Sequence, residues 1–286
     1  MGCVSSKDQP HQQFNIKLPD SINQTTLQTD LDLSDSQDQY LQIGMNISSL
    51  GELHPKVQQV HQELGDLFQN LQGQYMLMPD QSIFYGQTLN GKRNGQGKQH
   101  WQKEGNFLEG TWIDNQLNGR ARMIYPNGDY FDGNFVNNVA NGIGKFVNSR
   151  KEVRGFWLNN KLIGEGTEIR KNGTTYVGQF QDGKIHGQGK FEFANGCVYK
   201  GTVHKGKMHG NGELIFNDNT RYVGEFRNNC IQGSGIYEAN IPIQGWFHSK
   251  YEHQTMFLYF FRQETPVLID NQDCALIQKQ LSTFFD

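Results

Sequence analysis

Glycine returns every 22–24 residues through the middle of this 286-residue chain. Gly86, Gly110, Gly133, Gly155, Gly178, Gly201 and Gly224 open seven units, and a fragment of an eighth follows at Ile243, Gly245 and Phe247. Each unit also carries a second small pair, such as Gly95 and Gly97, Gly119 and Ala121, or Gly187 and Gly189. A period of this length must be read before any local motif, because it sets the architecture. It also disposes of the most tempting local motif. GTVHKGKM, from Gly201 to Met208, lies one residue away from a phosphate-binding loop. GQFQDGKI makes the same near miss one period earlier. Both end in an apolar side chain where such a loop needs a hydroxyl to hold magnesium.

Each unit reads as a β-hairpin. In the fifth, Tyr176, Gly178 and Phe180 alternate, Gly183 falls in the turn, and Gly187, Gly189, Phe191 and Phe193 alternate again. Period two marks a half-buried strand, and aromatic residues suit a pleated surface. Glycine weakens a strand interior, so its repetition there implies a close neighbour. An aromatic ring from the next strand, lying across the bare backbone, fits that place. Asn127–Gly128 and Asn195–Gly196 are turn dipeptides that join one hairpin to the next. The spacing therefore predicts an all-β repeat array, a single elongated antiparallel sheet of stacked hairpins over residues 81–247.

The unit pattern Y-x-G-x-F-x-x-G-x-x-H-G-x-G resembles the MORN (membrane occupation and recognition nexus) repeat. YVGQFQDGKIHGQG and YKGTVHKGKMHGNG are close matches, and FDGNFVNNVANGIG and YVGEFRNNCIQGSG are looser ones. The fourth unit departs most, with Val153 in place of the leading aromatic; the first and second have Phe84 and Leu108 there. The resemblance covers about residues 83–247.

Composition agrees with a thin fold. Hydrophobic residues make up 35% of the chain, which is low for a compact core, while glycines number 33. A single-layer sheet leaves one face without a covering layer. The rings of Tyr176, Phe180, Phe191, Phe193, Tyr199, Tyr222 and Phe226 are the candidate lining of an apolar groove for a protein partner. The competing reading is that these rings only stack on each other and on glycine. A second candidate surface is the set of basic residues at hairpin turns, Lys92, Arg93, Lys184, Lys205 and Lys207, which would suit phosphoinositide head groups. Residues 81–247 carry a net charge of +6, a modest excess.

The chain starts MGCVSSK. Gly2 with Ser6 fits an N-myristoylation pattern, and Cys3 is placed for palmitoylation. One myristoyl chain binds a membrane only marginally, so a second signal is needed. Residues 1–80 carry a net charge of −7, which excludes a basic patch and leaves a second acyl chain on Cys3. The resemblance to dual-acylated Met-Gly-Cys termini implies the cytoplasmic face of the plasma membrane or endomembranes. Residues 1–50 are rich in Gln, Asp, Ser and Thr, and a disordered acylated leader is expected there.

Amphipathic segments flank the array. Within residues 51–80, Val57, Val60, Leu64, Leu67, Phe68 and Leu71 recur at helical spacing between Pro55 and Gly73. A helix capping the first hairpin is expected, with pairing to a second copy as the alternative. Within residues 248–286, Asp273 would open a short helix bearing Ile277, Leu281, Phe284 and Phe285. The apolar run Met256–Phe261 is too short to span a bilayer.

MORN arrays occur fused to kinase or methyltransferase domains, but the 39 residues after this array are too few for either. No cluster shows metal-ligand spacing, and His186 and His209 read as turn residues of the repeat. No cofactor and no nucleic-acid partner are expected. The sequence thus reads as a non-enzymatic scaffold, tethered to a membrane, whose array binds a protein. Phosphoinositide binding by the array itself is the alternative, and homodimerisation is open.

Overall fold

The structure, a computed structural model, describes residues 48–238 in full and the backbone of the strands at 243–252, 255–262 and 265–268. The acylation signals, the leader and the expected helix after Asp273 lie outside the described residues. All the strands belong to one antiparallel sheet and follow one another in chain order. They fall into two compact bodies that divide between Lys161 and Leu162.

The first body opens with helix α1 (Pro55–Leu64) and strand β1 (Gln74–Leu77). Seven array strands follow: β2 (Ile83–Leu89), β3 (Lys92–Trp101), β4 (Asn106–Ile113), β5 (Gln116–Ile124), β6 (Tyr130–Val136), β7 (Val139–Val147) and β8 (Lys151–Leu158). The second body holds β9 (Lys161–Arg170, all but its first residue), β10 (Thr175–Gln181), β11 (Lys184–Glu192), β12 (Val198–His204), β13 (Lys207–Ile215), β14 (Arg221–Arg227) and β15 (Cys230–Glu238). Strand β16 (Ile243–Glu252) contains the fragmentary eighth unit and pairs with β15; β17 (Thr255–Arg262) and β18 (Thr265–Leu268) extend the sheet beyond it. The apolar run Met256–Phe261 is therefore strand.

The hairpin turns are built from two residues with positive φ. Examples are Asn90–Gly91 (51° and 72°), Asn137–Asn138 (49° and 67°) and Lys205–Gly206 (51° and 77°). Such a turn matches the natural twist of the two strands it joins. The second turn residue also fastens its repeat to the one before. The Asn138 amide donates to the Leu117 carbonyl, and its Oδ1 accepts from the Leu117 amide at 2.6 Å. Asn115, Asn160 and Asn229 make the same double link. At Gly183 and Gly206 only the backbone half remains.

The flanks differ from expectation in two ways. The helix stops at Leu64, because Gly65 takes φ 69° and leaves the helical path. It docks on the second repeat rather than the first: Val57 packs with Phe107 and Ile124, with Leu50, Leu53, Val60 and Tyr130 around them. The edge of the first hairpin is instead covered by β1, whose four residues pair with β2 from Gln74↔Gly86 to Leu77↔Ile83. Covering that edge satisfies backbone groups that would otherwise invite pairing with another chain.

Candidate functional site

In each regular hairpin the two strand glycines face each other, as in Gly178↔Gly189, Gly201↔Gly212 and Gly224↔Gly235. The ring that covers them belongs to the same hairpin, two residues before the first glycine. A Cβ built on Gly189 would meet the Tyr176 ring at 2.4 Å, and one on Gly212 would meet the Tyr199 ring at 2.5 Å. The tyrosine hydroxyls then reach backbone carbonyls, with Tyr199 donating to Thr202 at 2.8 Å and Tyr176 to Gln179 at 3.1 Å. Burial pushes all three phenols up, Tyr222 to about 12.

These contacts correct the expectation of an open aromatic groove. Tyr176, Phe180, Phe191, Tyr199, Tyr222 and Phe226 are each no more than 4% exposed, and Phe193 is half-buried, stacked on Phe191 at 5.5 Å. Edge-to-face packing, such as Tyr199 on Phe226 at 5.0 Å, consumes the ring faces. The row is brought together as foreseen, but as the core of the repeats.

The five basic residues also divide. Arg93 is buried: its guanidinium donates to the Asn115 carbonyl at 2.8 Å and to Gln99, and its centre stands 5.9 Å from the Trp112 ring. Burial lowers its pKa to about 10, opposed by Asp80. Arg93 is thus withdrawn as a head-group contact. Lys92 is half-buried in the first body, while Lys184 and Lys205 are exposed and Lys207 half-buried in the second.

Two features escaped the sequence reading. The first is an ionic clamp holding α1 and the segment after it. Glu109, fully buried, lies 3.3 Å from Lys98, 3.3 Å from His61 and 3.6 Å from Arg122. Lys98 also bonds Asp66 at 2.5 Å, Arg122 donates to the Gly65 carbonyl at 2.6 Å, and Arg122 pairs with Asp132 at 3.0 Å. The Lys98 hydrogen bond holds the Asp66 carboxyl below its ordinary value. Burial works against the charge of Lys98, yet Asp66 and Glu109 raise its pKa. His61, Asp66 and Glu109 form the one group among the described residues whose metal-ligand atoms already converge. Lys98 and Arg122 supply the compensating charge there.

The second is an outward row. Leu89, Ile113, Val136 and Leu158, each the last strand residue before a hairpin turn, are 58%, 55%, 48% and 41% exposed. Ile143 and Phe156, cross-strand partners on β7 and β8, extend it. The signal was available in the sequence, because the equivalent residues later in the chain are Gln181, His204 and Arg227. Cys197 and Cys230 are buried free thiols. No helix among the described residues is long and apolar enough to cross a membrane.

Comparison with solved structures finds distant likenesses. The TCP domain of SAS-4 (dCPAP) of Drosophila melanogaster, solved in complex with a proline-rich motif of Ana2 (dSTIL), is 16% identical with a TM-score of 0.35, over 65% of this chain and 98% of that one. The TCP10c domain of Drosophila melanogaster Sas-4 is 18% identical with a TM-score of 0.33, over 62% and 98%. No curated protein matches the chain. The family model of the MORN repeat matches seven stretches, 84–105, 109–130, 131–149, 154–175, 176–198, 199–221 and 222–239. Together these span just over half of the chain, in phase with the hairpins of the structure. The chain therefore belongs to the MORN repeat family.

Proposed function

We propose that this chain is a non-enzymatic scaffold that presents a protein partner at the cytoplasmic face of a membrane. The observation that carries the binding half is the outward row of the first body. Its six apolar side chains, Leu89, Ile113, Val136, Ile143, Phe156 and Leu158, are all exposed in a chain of only 35% hydrophobic residues. Exposed apolar side chains gathered along the ends of successive hairpins suit an interaction surface. The buried rings of the repeats serve it indirectly, by holding the strands that carry the row. Their truncation is expected to unfold the repeat, whereas changes in the row are expected to abolish binding in a folded protein.

The tethering half rests on Gly2 and Cys3, with the acidic leader as the reason that two acyl chains are needed. Phosphoinositide binding is the weaker reading, since burial of Arg93 removes one of its five contacts and leaves Lys92, Lys184, Lys205 and Lys207.

The experiment is fractionation and proximity labelling of the whole protein beside four variants. Gly2→Ala and Cys3→Ser are expected to become soluble. The variant Ile113→Ser with Phe156→Ser is expected to stay on the membrane and to lose specific neighbours that the parent protein labels. If the acylation variants remain on membranes, the tether reading is overturned. An unchanged set of neighbours in the row variant would overturn the surface. Retention that is lost in high salt and in Lys205→Gln with Lys207→Gln would move the phosphoinositide reading ahead.

A further inference from the structure

The repeat pattern places His186 on β11 and His209 on β13, and a third histidine, His204 on β12, falls between them. His186 and His204 stand opposite each other, one position beyond the Gly187↔Val203 pair. All three occupy the outward face, alternate with the buried residues Ile185, Val203 and Met208. Their ring centres lie 4.9 Å apart for His186 and His204, and 5.7 Å for His204 and His209. Two imidazoles bound to one tetrahedral zinc, with Zn–N of about 2.0–2.1 Å, have ring centres roughly 5 Å apart. The ring spacing is near that of shared coordination, and rotation of the exposed His204 side chain would bring the ligand atoms together. The Nδ1 atom of His209 is buried without a hydrogen-bond partner. Nothing else in the array matches this coincidence: at the position of His186 and His209 the other repeats carry Asn94, Asn118, Asn141, Ile163 and Gln232.

We propose that His186, His204 and His209 form a divalent transition-metal site of the zinc class, which staples the fifth repeat to the sixth. Imidazole nitrogen is a preferred ligand of zinc, copper and nickel, and three such ligands leave a fourth position for water or a partner's side chain. The metal needs neutral imidazoles. Lys205 acts on His204, and Arg227 and Glu225 line the same hollow as His209. This excess of cations sets the affinity below that of a closed structural zinc site and makes it depend on salt.

The test is titration of the full chain with zinc chloride by calorimetry, and with cobalt chloride to read coordination from the visible spectrum. One equivalent is expected, with tetrahedral cobalt bands and a rise in thermal midpoint. His204→Gln and His209→Gln install residues that sibling repeats carry at those positions, Gln181 and Gln232, so folding is retained. Each is expected to weaken binding at least tenfold, while His61→Gln, in the clamp, leaves it unchanged. Absence of binding, or binding equal in all variants, overturns the site. Loss in His61→Gln alone would place the ion at His61, Asp66 and Glu109 and overturn it as well.

Discussion

Residues 48–161 and residues 162–238 repeat one hairpin, but they solve its packing differently. In the second body the regular units each lay a tyrosine over a bare glycine pair, and its hydroxyl finds a carbonyl. In the first body the same place is taken by Phe84, Leu108, Phe131 and Val153. Where the residue is the smaller Leu108, the facing position holds Ala121 instead of glycine, and both are fully buried. At Leu108 and Ala121 the covering residue and the residue it faces have changed together, whereas the unit of Val153 keeps Gly166 at the position of Ala121. The outward faces diverge too. The row that is apolar in the first body reads Gln181, His204, Arg227 in the second, where the exposed apolar side chains are instead Ile169, Val177 and Val223, and among the described residues the helix docks on the first body. Similar backbones thus carry different side chains at the strand ends before their turns.

The largest effect is expected from emptying a ring site of the second body. Tyr199→Ala should cost about 3–5 kcal/mol, since the ring is fully buried over Gly201 and Gly212. Urea unfolding measures it, and a loss below 1 kcal/mol would break the claim that rings are core.

Next in size is the clamp of the first body. Glu109→Ala leaves Lys98 and Arg122 without their buried partner and should cost about 3 kcal/mol. The clamp also carries a pH signature. Asp66 has its pKa lowered on folding, so its contribution is present above about pH 4, the unfolded value, and is lost as pH falls through the folded one. Lys98 has its pKa raised, so its share is present below about pH 10 and fades as pH rises through the folded value. Hydrogen exchange in α1 should accelerate below pH 4 in the parent protein and lose that dependence in Asp66→Asn.

A smaller effect tests whether ring and glycine covary. Leu108→Tyr should destabilise by about 1–3 kcal/mol, because the Ala121 methyl occupies the space a ring needs. Adding Ala121→Gly should restore most of the loss, and a double-mutant cycle reads the coupling directly. Additive effects would show that the two sites are independent.

The smallest change concerns the turns. Asn138→Gly removes the side-chain bond to Leu117 and leaves the backbone one, the arrangement that Gly183 and Gly206 already use. A loss of about 1 kcal/mol is expected by thermal melting.

The architecture was legible in the sequence because period, alternation and turn residues are local properties of a repeat. Seven leading glycines in phase, with turn pairs such as Asp182–Gly183 and connections such as Asn195–Gly196, specify hairpins in chain order without reference to distant contacts. Burial was another matter. Whether Tyr176 and Phe191 line a groove or fill a core depends on how close facing strands bring their rings, and that distance is set by tertiary packing over glycine. Arg93 and Lys92 look alike as neighbours in a string; only the fold turns one inward beneath Asn115 and Gln99. The clamp at Glu109 joins residues 61, 66, 98, 109 and 122, and the trio of histidines draws on three strands. Sequence alone determined the repeat, because a hairpin's hydrogen bonds and turns are local. Tertiary structure decided what each repeat exposes, because exposure is the outcome of contacts between residues far apart in the chain.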